Sequence, residues 1–411
     1  MRMAMPPVMR ASGPVNAISR FQASGIRSLS EADLAHLWEG QRFPPEALRT
    51  TAGAPLRAVY RGRRTGGPGP DYRDAIISAP GGLLQGDVEL HVRSSDFQRH
   101  GHARDPAYDG LALHLVFQHD GHGDTQLASG RRVSVVALAD WVEGRSREIR
   151  AWLERPEQWQ EPCRSAVARL GSETAGTALD RLGEMRFRQK AAAFAKRLAA
   201  AGADQALWEG VLEALGYGGQ RELMLAVACR ATWKAVSAAM LRVPAARRAT
   251  IAGTLLLEAL EGEKRKAWHG AGRQAGTERP RNRPEARLLG AGVLASRFGA
   301  RGPWETLRPL VEAGDAGRLV AALTAPPGIG RGRALEMAAN AVLPCAAAQG
   351  LGAASEALYR RLRLPARYGA VKHIHTALGG DVPLDTRRQQ GMLYLLRQYC
   401  TQGGCGRCPL S

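Results

Sequence analysis

The chain has 411 residues, with 57 Lys and Arg against 38 Asp and Glu, a formal net charge of +19 and a pI near 10.5. That length predicts two or three domains with sizeable cores. Six cysteines are too sparse for a disulfide scaffold, and no apolar run approaches the ~20 residues that span a bilayer. These features exclude a disulfide-rich secreted module and a membrane-spanning protein. They predict a cytoplasmic chain with no membrane partner, and its positive charge favours a polyanion.

The opening stretch MRMAMPPVMRASGPVNAISRFQASG holds no continuous apolar segment, so residues 1–28 read as a disordered leader rather than a signal peptide. Ser30 then offers an N-cap with Glu31 in the first turn. Leu34, Leu37 and Trp38 share one side of the short amphipathic helix that follows. Across residues 55–139 the period changes to two, predicting strands at 56–60, 75–77, 86–92, 111–117 and 133–138, separated by Gly, Pro and Asp. A helix followed by these strands gives an α/β (α+β) domain over 29–150 built on a central mixed, mostly antiparallel sheet.

Within it, GGPGPDYRDAIISAPGGLLQGDVELH runs from Gly66 to His91. Val88, Leu90 and Val92 alternate with Asp87, Glu89 and His91, which places three ligand-grade side chains on one strand face. Asp71 lies eighteen positions before Glu89, at the end of a Gly/Pro loop, where a hairpin brings it alongside. Two carboxylates and a proton-active group in this arrangement can hold Mg²⁺ or Mn²⁺ against a phosphodiester. Asp87 fits a supporting place in that metal site, and Glu31 or Glu39 of the first helix can add a carboxylate. Six of the ten histidines fall between His91 and His122. His100, His102 and His114 among them are possible additional ligands, pointing to metal or acid-base chemistry.

Beyond Trp141 the period is helical almost to the end, a large all-α region with helices expected at 175–201, 206–215, 222–241, 246–260, 303–311, 334–349, 354–362 and 387–399. A basic linker over 262–287 divides it into helical domains at 151–261 and 288–411. The linker carries Lys264, Arg265, Lys266, Arg273, Arg279, Arg281, Arg283 and Arg287 around Trp268, a composition suited either to gripping phosphates and stacking on a base or to a plain solvated loop. At the C-terminus Cys400, Cys405 and Cys408 follow a helix in a C-x4-C-x2-C spacing. Three thiolates leave a four-ligand zinc or iron–sulfur site one short; Cys163 and Cys345, each after a proline, are the candidates to complete it, while Cys229 sits in an apolar helix and reads as core.

The runs GPDYRDAII, GDVELHVRSSDFQRHGH and DPAYDGLALHLVFQHD, with LWEGVLEALGYGG, LLLEALEG, RPRNRPEARL, NAVLP and QQGMLYLLRQYC further on, resemble a bacterial family known as domain of unknown function 2851 along most of the chain. Pro70-Asp71 followed by Glu89-Leu90-His91 is also similar to the PD-(D/E)-x-K signature of the restriction-endonuclease-like nucleases, with His91 standing where that pattern has lysine. This second resemblance implies a nuclease-like fold for 29–150. It implies Asp71 and Glu89 as metal ligands, the Leu90 carbonyl as a third, and His91 as the group that orients or activates water. Some nucleases of that superfamily pin their C-terminus with a four-cysteine [4Fe–4S] cluster, and by that likeness Cys163 joins Cys400, Cys405 and Cys408, with zinc the other metal in view.

The expected function is metal-dependent phosphodiester hydrolysis of nucleic acid, DNA favoured over RNA. Two alternatives stand beside it: an inactive nuclease fold that only binds nucleic acid, and a mononuclear His/carboxylate metalloenzyme on another substrate.

Overall fold

The computed structural model describes residues 28–411 apart from 42, 44–46, 155–162, 164–165, 217–219, 269–282 and 364–367, and before them two short strands at Phe21–Gln22 and Gly25–Ile26. The leader expected at 1–28 thus lies largely outside the described residues. The chain divides into two compact units. One holds Met1–Arg169 with the returning segments His373–Gly380 and Leu396–Ser411; the other holds Leu170–Lys372 with Asp381–Leu395. The C-terminal cysteines therefore belong with the sheet rather than with a helical domain. No single helix among the described residues is long and apolar enough to cross a membrane.

The first unit is mixed α/β. Helix α1 (Glu31–Gly40) starts at a capping box, in which the Ser30 side chain accepts from the Asp33 N–H while Asp33 accepts from the Ser30 N–H. Leu34, Leu37 and Trp38 are buried along one stripe, as the sequence predicts. The sheet has six strands. Five lie in the order β5 (Val135–Ala137), β4 (Leu111–Gln118), β3 (Gly82–Arg93), β2 (Tyr72–Ala79) and β1 (Arg57–Tyr60), with the short segment Arg63–Arg64 also paired to β2. The pairs β1–β2 and β2–β3 are antiparallel, whereas β3–β4 and β4–β5 are parallel. The parallel step exists because the link from β3 to β4 crosses over through helix α2 (Asp96–Arg99) and two 3-10 turns instead of a tight hairpin.

Period-2 alternation sorts the side chains between the two faces. Val88, Leu90, Leu113 and Leu115 join α1, Tyr72 and Trp141 in the main core of this unit. Glu89, His91 and His114 occupy the other face, yet they too are buried, at 5%, 1% and 0% exposure. The crossover covers them: Phe97 and Tyr108 pack with Leu111, Leu127 and Val133 into a second, smaller core. At Gly86 the strands β3 and β4 approach so closely that a Cβ would stand 2.5 Å from the Gly110 carbonyl oxygen.

The second unit is helical, with a large core drawn from residues between Phe187 and Leu362. The helices flanking the expected linker share this core, so they do not form two separate domains. The helix Ser172–Leu215 breaks at Gly202, which has φ +77°, close to where the sequence predicts one helix to stop and another to start. Residues 222–241, expected as one helix, form two, Arg221–Arg230 and Trp233–Leu241, because Thr232 caps the second with its hydroxyl. Helices Pro284–Phe298 and Ala316–Leu323 carry no helix prediction. The basic stretch is largely helical at its ends, with Arg248–Trp268 before it and Pro284–Phe298 closing it. Cys229, expected in the core, is exposed.

Candidate metal centre on the β2–β3 hairpin

The hairpin register sets Tyr72 opposite Val88, which leaves Asp71 beside Glu89 and Leu90. The two carboxylates interlock through the backbone. The Asp71 N–H donates to Glu89 Oε2 at 3.0 Å, and the Leu90 N–H donates to Asp71 Oδ2 at 3.0 Å. A bulge between Tyr72 and Ala75, with Asp74 at φ +60°, interrupts the regular ladder immediately after Asp71. Burial raises the Asp71 carboxyl above its usual range, opposed by the Leu90 N–H and by Arg64. Burial, then the Asp71 charge, pushes Glu89 up to about 8. Glu31 is raised by burial and by Asp71, with His100 pulling the other way, so the first turn of α1 lies near enough to feel the Asp71 charge.

Two imidazoles, His91 and His102, lie against Glu89, and His100 and His114 flank His91. His91 Nδ1 is 3.0 Å from His114 Nε2, and His91 Nε2 is 3.2 Å from His100 Nδ1. His114 Nδ1 in turn lies 2.7 Å from Thr125 Oγ1. His102 stacks on Tyr108 with ring centroids 4.1 Å apart and sets its Nε2 3.5 Å from Glu89 Oε1. Burial first, and then the other imidazoles, lowers His91 to about 3; burial and His119 lower His114 to about 3. Both rings are neutral near pH 7. His91 therefore cannot supply the fixed cation that lysine gives in the signature it resembles, and it offers a lone pair instead.

Three expected site residues go elsewhere. Glu39 is held by Tyr72 Oη at 3.1 Å and by Arg64 at 3.2 Å, which makes it a structural acceptor rather than a further ligand. Asp87 accepts from the Asp74 N–H at 3.2 Å among Arg73, Asp74 and Arg63. His114 is enclosed behind His91, an orienting partner with its Nδ1 already on Thr125. The sequence reading missed Thr125 and Tyr108, for nothing local in either residue reports that it meets a histidine ring.

The four cysteines expected at the chain end gather in the first unit. Burial raises Cys163 to about 12, and Cys405, Cys400 and Cys408 add to the rise in that order; Cys400 is likewise pushed up to about 12 by burial, Cys405 and Cys408. Residues around Gly403 lie against β1, where a Cβ on Gly403 would stand 3.6 Å from Val59. Arg169 donates to the Leu410 carbonyl at 2.9 Å. Cys345 is fully buried in the core of the helical unit.

Of the residues expected to grip nucleic acid, Lys264 is taken up by Glu285 at 2.6 Å and Glu261 at 3.0 Å. Arg265 is exposed on its helix and Arg283 directly precedes the next one. Arg287 is buried at 2% exposure and donates to the Leu215 carbonyl, so it does not face a phosphate. The Lys266 side chain, Arg273, Arg279 and Arg281 lie outside the described residues.

No curated protein and no solved structure matches the chain. The profile of a family described as a protein of unknown function, DUF2851, matches residues 31–259, which include α1, the whole sheet and the first part of the helical unit. With more than half of its 411 residues matched, the chain belongs to that family.

Proposed function

We propose that this chain is a cytoplasmic metal-dependent nuclease that hydrolyses phosphodiesters of nucleic acid, DNA favoured over RNA. The observation that carries the reading is the interlocked pair Asp71 and Glu89, two carboxylates held beside each other by backbone N–H groups. Burial opposes charge on both, and the two charges oppose one another. A hard divalent ion such as Mg²⁺ or Mn²⁺ suits that donor set, with the Leu90 carbonyl as a further oxygen. Such an ion, when bound, polarises a phosphoryl oxygen and makes water a stronger nucleophile. Asp71 and Glu89 would hold it, Glu31 adds a further charge nearby, and neutral His91 would orient the attacking water. Arg64 lies near Asp71 and would help draw a phosphate chain to it.

Cys163, Cys400, Cys405 and Cys408 would hold a [4Fe–4S] cluster or zinc that fastens the chain end to the sheet. Their donor chemistry fits either group.

The test is cleavage of labelled DNA and RNA with Mn²⁺ by the wild type, Asp71→Ala and Glu89→Ala. Cleavage by wild type alone is expected, with at least ~100-fold loss in each variant and unchanged circular dichroism. Undiminished cleavage by Asp71→Ala would remove the site from the reaction.

A further inference from the structure

The imidazoles beside Glu89 have geometry of their own. The donor atoms of His91, His100 and His102 all lie within 4.8 Å of one another. His91 Nε2 to His100 Nδ1 is 3.2 Å, His102 Nε2 to Glu89 Oε1 is 3.5 Å, and His91 Nε2 to Glu89 Oε1 is 3.8 Å. Donors at ~2.1 Å from one small ion stand about 3.4 Å apart along a tetrahedral edge. The His91–His100 edge is close to that length, and Glu89 Oε1 borders the three-histidine group on the side of His102 and His91.

We propose that His91, His100 and His102 form a second metal site, with Glu89 at its edge, for a divalent ion that prefers nitrogen, zinc first among them. The orientation of His91 fits this use. A proton on its Nδ1 donates to His114 Nε2, and the His114 Nδ1 proton donates to Thr125 Oγ1, which leaves the His91 Nε2 lone pair turned to the ion. His114 is thus a positioning residue. Glu89 stands between two sites: Oε1 faces the imidazoles, while Oε2 accepts the Asp71 N–H. A hard-ion site and a histidine site, alternatives when only the sequence is read, become neighbours; with its Nδ1 on His114, His91 has only Nε2 to offer, so zinc there takes the place of the water proposed above. The zinc site goes beyond the nuclease reading and stands without it.

The experiment measures zinc per chain after dialysis of the full-length protein against Zn²⁺, for wild type, His100→Ala, the double variant His100→Ala/His102→Ala, and Asp71→Ala. His100 is exposed and His102 half-buried, so neither replacement opens the core; His100→Ala alone reports on the same site should the double variant fold poorly. Any zinc on the cysteines is common to all four proteins and cancels. Loss of one equivalent from both histidine variants, with wild-type zinc in Asp71→Ala, is expected. The same variants should lose the visible d–d absorption of nitrogen-bound four-coordinate Co²⁺. Equal zinc content in wild type and the histidine variants would overturn the proposal, reducing the cluster to hydrogen-bonded imidazoles. Because Asp71→Ala keeps the zinc while losing Mn²⁺-dependent cleavage, failure of one site is distinguishable from failure of the other.

Discussion

Glu89 pairs with Asp71 and borders the histidine group, and its ionisation is set by where it sits. It is buried, and the neighbouring Asp71 charge repels its own, which together push its carboxyl up to about 8. The folded value lies above the unfolded one, near 4.5. Its contribution to stability is therefore fully present below the unfolded value and is lost as pH rises through the folded one. Metal-free protein should melt at progressively lower temperature between about pH 5 and about pH 8, and Mn²⁺ should raise the melting temperature most at the upper end, where binding no longer has to displace a proton. Glu89→Gln should flatten that part of the pH slope; an unchanged slope would detach the effect from Glu89. Asp71, Glu89 and His91 were legible in sequence because alternation puts Glu89 and His91 on one face and the Gly/Pro loop returns Asp71 to them. Glu31 and Glu39 looked equivalent, but eight residues of helix separate them by roughly 12 Å, so only one can reach a given point. The second meets Tyr72 and Arg64 instead. Hydrogen-bonded partners such as His114 and Thr125 lie on different strands, and spacing along the chain carries no trace of them.

At the scale of elements, α1 and the β2–β3 hairpin hold the site between them. Trp38 is fully buried, meets Tyr72 edge-on at 6.5 Å, and donates its indole N–H to the Arg61 carbonyl at 3.0 Å. Trp38→Ala should cost about 3–5 kcal/mol in chemical denaturation. A cost under about 1 kcal/mol would mean that α1 is not anchored through this ring. The helix was readable from Ser30, Glu31 and the Leu34-Leu37-Trp38 stripe, and the strands from their period. The parallel pairing of β3 with β4 was less so, since alternation specifies which side chains share a face but not which strand lies alongside. The burial of Glu89 and His91 was equally hidden, because the cover comes from Phe97 and Tyr108 in a crossover with no long periodic run. In the helical unit, Thr232 divides a segment that apolar periodicity alone reads as continuous.

Across the whole molecule, the last residues leave the helical unit and rejoin the sheet. Local periodicity cannot report this return, because it depends on contacts between residues more than two hundred positions apart, as when Arg169 donates to the Leu410 carbonyl. The cysteine count pointed to it by a different route, through the ligand that C-x4-C-x2-C lacks. Cys163→Ser should release iron or zinc from purified protein and make the segment Leu396–Ser411 sensitive to protease, while Cys345→Ser, in the helical core, should keep the metal. The reverse result would assign the fourth thiolate to Cys345.

The most direct measurement on the central claim is an anomalous difference map from a crystal of this chain soaked in Mn²⁺. The account predicts a peak within ligand distance of Asp71, Glu89 and the Leu90 carbonyl, lost in Asp71→Ala. A fully occupied crystal with no peak beside those two carboxylates would contradict it.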